Sequence, residues 1–303
     1  MTAAEATLGA LAELSRHLGQ KLDLDTRIGR TLACLHERLD YRHSMLLVPA
    51  DTAGQLVMLA SHGYAAGVGA QVRLGEGAIG VCAERRRALR LNNVPRALSL
   101  MHVAQAPTGA PLRLEIPLPG IAGVQSQLVA PALVQDELVA VLYVEDERPG
   151  RFSVDDSHAL ELVASLLAPA LFHENDDEDV AAPASPPPEP SVTPLRVRYY
   201  AADGSVFFDD EYVIKSLPGR LLFKLLKERR DKGREEFTKK ELRLDSCLML
   251  PAVRDNLDTR LILLRRRLAE RFPFVQIAPG GRGRFRLCIQ RPFELTEVTA
   301  SYP

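Results

Sequence analysis

Arg265 and Arg266 lie one helical turn beyond Ile262, which itself follows Thr259 by three residues. Together these are the residue types that read the edges of base pairs. An arginine fork can bond two guanine acceptors, and Thr259 or Ile262 can touch a thymine methyl. Arg254 and Arg260 add charge along the same segment, while Asp255 and Asp258 subtract from it. Lys239 and Lys240 stand at the start of an earlier short helix, placed for backbone phosphate. Arg282 and Arg284 flank Gly283 in a glycine-rich tip, suited to a minor groove or a phosphate clamp. Charge bookkeeping agrees. Leu195 to Arg291 holds 23 Lys+Arg against 13 Asp+Glu, a formal +10, and the other residues hold 15 against 26, a formal −11. The near-neutral total of −1 therefore hides a basic module tied to an acidic one, as expected when one half binds a polyanion and the other regulates it.

Other chemistries are poorly supplied. Gly75-x-Gly77-x-x-Gly80 matches the dinucleotide fingerprint, but the region near Pro95 to Leu100 offers no acidic residue for a ribose. A tight glycine turn feeding a helix explains the spacing, and a nicotinamide cofactor is rejected. Cys34, Cys82, Cys247 and Cys288 are far apart and read as reduced, mostly buried thiols, with Cys82 a redox candidate only if exposed at a helix start. His43, His62 and His102 are isolated, so haem ligation has little support. With no acid/base or metal cluster, an enzyme is not expected, and no cofactor is assigned.

The elements that position these residues fall into two groups. At 303 residues, 46% hydrophobic and 25% charged, the chain suits two globular domains. It contains no bilayer-length apolar run, and Met1 to Leu8 lacks a signal core, so a cytoplasmic protein is expected. Arg outnumbers Lys 31 to 7, which fits a GC-rich bacterial genome. Residues 175–194 are acidic and then proline-rich, a linker between domains at 1–174 and 195–291, with 292–303 as a tail. In the first domain, Leu8, Leu11 and Leu18 mark one helix; Ile28, Leu32, Leu35 and Leu39 mark a second, capped by Asp25. Hairpins are expected over Ser44–Pro49 with Gln55–Ser61, and over Gln127–Val134 with Leu138–Glu145 turning at Asp136–Glu137. Ser153 to Asp156 forms a capping box for a helix to Phe172, where Leu162 and Leu166 widen the stripe of Leu160, Val163, Leu167 and Leu171, the mark of a dimer seam.

The second domain predicts strands over Leu195–Tyr199 and Val206–Phe208, a helix with Pro218 at its first position, and a short helix opened by the capping box Thr238 to Glu241. A third helix runs from about Pro251 to Arg271, with Val253, Leu257, Leu261, Leu264 and Leu268 inward. Phe274–Ala278 and Arg284–Ile289 then flank Gly280 to Gly283 as a basic-tipped hairpin.

Three stretches resemble the GAF family of sensor domains over about residues 4–174: Val72 to Val81 before a short helix, Ser126 to Pro131 on a strand, and Asp136 to Leu142 after a turn; Phe152 to Asp156 agrees. That resemblance implies a pocket beside the connection from Leu91 to Gln125, with Asn92, Asn93, His102, Gln105 and Arg113 as candidate ligand contacts. The cyclic-nucleotide signature and the bilin cysteine-histidine pair of that family are absent from the sequence. About Leu195 to Gln290 resembles the OmpR/PhoB-type winged-helix DNA-binding domain. The residues that carry it are Val253, Asn256, Leu257, Asp258 and Leu261, then Leu264 to Leu268, Val275 to Ile277 and Gly281 to Leu287. Ile262 and Leu263 depart from the basic or polar residues often found there.

The expected fold class is α+β: a GAF-like antiparallel sheet with flanking helices, plus a separate winged helix-turn-helix domain. The expected function is a sequence-specific, DNA-binding transcriptional regulator, acting as a homodimer on double-stranded DNA, with a small molecule as possible input and no membrane partner. Its alternative is a non-catalytic adaptor whose winged helix binds protein.

Overall fold

The computed structural model describes residues 3–97, 116–172, 194–248, 250, 257–281 and 283–299. It divides into two compact units, Met1–His173 and Glu174–Pro303.

The first unit opens with helices α1 (Ala3–Leu18) and α2 (Leu24–Leu39). Asp23, not Asp25, caps α2, its carboxylate accepting from the Thr26 backbone N–H at 2.9 Å. A six-stranded sheet follows in the order β3-β2-β1-β6-β5-β4, antiparallel at every step. Its strands are β1 (His43–Pro49), β2 (Gln55–His62), β3 (Gln71–Arg73), β4 (Leu89–Leu91), β5 (Ser126–Val134) and β6 (Glu137–Asp146). Central β6, hydrogen-bonded to β1 and β5 along its two edges and packed against helices, is buried along most of its length. The β5–β6 turn sits at Gln135 and Asp136, both left-handed (φ 49° and 62°), one residue earlier than expected. Two successive left-handed residues give the turn hand that matches strand twist.

Helix α3 (Gly77–Arg85) begins just after Gly75. A Cβ at Gly80 would lie 2.2 Å from the Arg73 carbonyl, so the glycine spacing serves a close helix–strand approach. Helix α4 (Val154–Phe172) has its expected capping box: Ser153 Oγ accepts from the Asp156 N–H at 3.0 Å, and Asp156 accepts from the Ser153 N–H at 2.7 Å. Its inward stripe, Leu160, Val163, Leu167 and Leu171, is buried against the sheet, whereas Leu162 is 51% exposed.

The second unit has two sheets. One has the order β13-β7-β8-β9, from β7 (Leu195–Tyr200), β8 (Ser205–Phe208), β9 (Glu211–Ile214) and β13 (Phe293–Val298). Residues 293–298 are therefore not a tail: they pair in parallel with β7, from Phe293 opposite Leu195 to Val298 opposite Tyr200. Helix α5 (Ser216–Lys232) buries Leu217, Leu221, Leu222, Leu225 and Leu226 and ends at left-handed Gly233. It begins at Ser216, which puts Pro218 at the third position rather than the first, still within the turn whose N–H groups need no helical partner. The second sheet, β10-β12-β11, comprises β10 (Glu236–Thr238), β11 (Val275–Pro279) and β12 (Arg284–Ile289). Between β10 and β11 lie α6 (Lys239–Leu244), a 3₁₀ turn (Ser246–Leu248) and α7 (Leu257–Arg271). The expected start of that last helix near Pro251 lies outside the described residues.

Candidate functional site

In the first unit, Asn92 is committed to the chain entering α4. Its Nδ2 donates to the Phe152 carbonyl at 2.7 Å and its Oδ1 accepts from the Phe152 N–H at 3.1 Å. Asn93 Oδ1 accepts from the Arg96 N–H at 3.1 Å, capping a turn of helix over 94–97. Both amides thus satisfy backbone groups. His102, Gln105 and Arg113 lie outside the described residues.

The polar centre of this unit is a residue that sequence patterning treats as plain strand. Glu145 is 3% exposed, near the end of β6, level with His43 on β1 and Gln127 on β5. Its Oε1 accepts from Tyr64 Oη at 2.7 Å and the Ile121 N–H at 2.9 Å, and its Oε2 from Tyr143 Oη at 2.5 Å. Burial, then the Glu145 charge, pushes both tyrosine hydroxyls well above their ordinary range, so both remain proton donors. An acid two residues after a tyrosine, closing an apolar run, was the available signal. The cluster ties the chain near residue 121 and the end of β2 to the sheet.

Cys82 lies within α3 and is 1% exposed; burial pushes its thiol up to about 12, away from the reactive thiolate. The His62 ring is 4.7 Å from that of His36, and burial and then His36 lower its pKa. Among the described residues no group of three or more His, Cys, Asp or Glu can hold a metal ion. Nor is any described helix long and apolar enough to cross a membrane.

In the basic unit, the structure separates residues that the sequence grouped. Lys239 is not a surface cation: its Nζ lies 2.8 Å from Asp258 Oδ1, with the two side chains only 10% and 12% exposed. Arg243 approaches the other Asp258 oxygen at 3.4 Å. Asp258 therefore does not oppose a phosphate surface; it joins α6 to the start of α7. Thr259, Arg260 and Ile262 are buried at 7%, 4% and 5% exposure, and Leu263 at 3%. The first two turns of α7 are buried around nearly their whole circumference, which takes Thr259 and Ile262 off the expected outward face and buries Arg260, a third expected DNA contact. Arg265 and Arg266 are half-buried.

Lys240 and Arg284 are exposed as expected. They come close through the backbone: Thr238 pairs with Arg284 across β10 and β12, and the Lys239 N–H donates to the Gly283 carbonyl at 2.8 Å. Arg254 and Arg282 lie outside the described residues.

The first unit is thus a curled antiparallel sheet with flanking helices. Residues 23–171 match the family model for the GAF domain, and this part of the chain is a GAF domain. No curated protein matches the chain. Among solved structures, it is similar to the GAF domain of an Acinetobacter phosphoenolpyruvate-protein phosphotransferase (17% identity, TM-score 0.46, 56% of this chain and 94% of that one). The corresponding Coxiella burnetii domain gives 20% identity and TM-score 0.44, over 56% of this chain and 95% of that one. A free methionine-R-sulfoxide reductase from Neisseria meningitidis gives 16% and 0.44, over 56% and 92%.

Proposed function

We propose that this chain is a non-catalytic transcriptional regulator whose GAF half receives a small-molecule or pairing signal and whose basic half binds double-stranded DNA. The order of a strand sheet, three helices and a basic-tipped hairpin supports reading the second unit as a winged-helix domain. One observation carries the DNA reading: Lys240 and Arg284 stand exposed and close together on a segment of formal charge +10. Because Thr259, Arg260 and Ile262 are buried, phosphate contact supplies most of the affinity and base reading comes second. Leu162, exposed on α4, supports pairing of two GAF domains, which would bring two basic units to adjacent half-sites. Genome-wide mapping of DNA bound by the intact protein tests this. Discrete enriched regions are expected, and a profile identical to an untagged control would refute it.

A second reading, the adaptor, draws on the same buried positions of α7. A helix covered along its first two turns presents less to a major groove and suits a domain that docks on protein. Partner binding retained after Arg265, Arg266 and Arg282 are all changed to Ala would favour it.

A further inference from the structure

The sheet β10-β12-β11 has two chemically distinct faces. Phe237 and Phe285, opposite each other across β10 and β12, stack at 5.9 Å between ring centroids and are buried, as are Leu287, Val275 and Ile277. Side chains alternate along a strand, so Glu236, Thr238, Arg284 and Arg286 share the other face. That face is open: Glu236, Arg284 and Arg286 are all exposed. Arg286 Nη2 meets Glu236 at 2.5 Å. Arg286 first, and Arg284 more weakly, hold the Glu236 carboxyl below its usual value. Among the described residues Arg284 makes no ion pair, and Lys240 stands exposed two positions beyond Thr238.

We propose that this open sheet face, through Arg284, Arg286 and Lys240, is the principal DNA-docking surface of the chain, and that Glu236 restrains it by holding Arg286. The inference rests on the DNA-binding reading above and relocates the contact from α7 to the sheet. Its partner is the phosphate backbone of a duplex, argued from charge: exposed Lys240, Arg284 and Arg286 stand against Glu236, while neighbouring Glu235 is paired with Arg229. Arg284 and Arg286 stand about 7 Å apart along β12, a spacing at which both can engage neighbouring phosphates of one strand. Glu236 repels the same backbone and competes for Arg286, so it sets affinity downward without touching DNA.

The test is fluorescence anisotropy of the full chain with a mixed-sequence duplex, titrated with salt. The triple variant Lys240→Ala, Arg284→Ala, Arg286→Ala should flatten the slope of log K against log salt by about 2 to 3, since each phosphate contact contributes about 0.9. Glu236→Gln should tighten binding about two- to fivefold, the range expected for one exposed charge. Circular dichroism melts confirm that both variants remain folded. If both bind as wild type does while Arg265→Ala with Arg266→Ala loses affinity, the docking surface is wrong and the DNA reading stands. Should the wild-type chain bind no duplex, the functional reading falls as well.

Discussion

Lys239 and Asp258 distinguish a structural ion pair from a phosphate contact. Their charges are 2.8 Å apart with side chains 10% and 12% exposed, and Arg243 is a second cation 3.4 Å from the same carboxylate. Removing one member of a buried pair costs about 3–5 kcal/mol, because the other stays desolvated and uncompensated. Asp258→Ala leaves both Lys239 and Arg243 without that carboxylate, and we expect a loss of about 3 kcal/mol in the basic unit. Lys239→Ala leaves Asp258 beside Arg243, so the loss should be smaller, about 1–2 kcal/mol. Lys239→Met with Asp258→Leu removes the closer pair but still leaves Arg243 without that carboxylate, so it should cost less than Asp258→Ala without returning fully to wild type. Hydrogen exchange over peptides from α6 and α7 reads this unit separately from the GAF domain. Equal losses for the two single variants, or a double variant worse than either, would refute the reasoning. In the same samples, duplex affinity should keep its salt slope in Lys239→Met but lose about 0.9 of it in Lys240→Ala.

Three further outcomes are expected. Gly80→Ala drives a Cβ to 2.2 Å from the Arg73 carbonyl and should destabilise the GAF half by about 2–4 kcal/mol, measured by thermal melting of intact protein. Hydrogen bonds from Arg148 hold the Asp146 and Asp40 carboxyls below their ordinary range, so the stabilisation they contribute is present at neutral pH and is lost as pH falls through their lowered folded values. Arg148→Ala should therefore cost stability at pH 7 and much less at pH 2, and an equal cost at both would contradict that linkage. Native Cys82 should resist iodoacetamide at pH 8 while denatured protein reacts; rapid native labelling would show an accessible thiolate.

Local chemistry was the most legible part of the sequence. Both capping boxes, Ser153 with Asp156 and Thr238 with Glu241, form as read, because each depends on residues three apart. The two long hairpins were visible as apolar runs bounded by turn residues. Strands β3, β4 and β10 span three residues each and are too short to show a period. β13 was missed because only a distant partner, β7, makes it a strand. The largest correction concerns α7. A single-face helical wheel put Thr259 and Ile262 outside, with Arg260 counted beside them as a DNA contact, whereas the unbroken run Leu261-Ile262-Leu263-Leu264 signals burial on every side. Pairing of Lys239 with Asp258 joins residues far apart in the chain and left no local trace. Glu145 could not be read as the centre of a cluster, since Tyr64 reaches it from another strand's end.

Titration of the intact protein against duplex oligonucleotides of several compositions, from dilute to physiological salt, bears most directly on the central claim. Binding is expected in dilute buffer and should weaken steeply as salt rises, with a log–log slope of about −3 to −5 for a handful of phosphate contacts. No binding to any duplex in dilute buffer, or an affinity indifferent to salt, would contradict it.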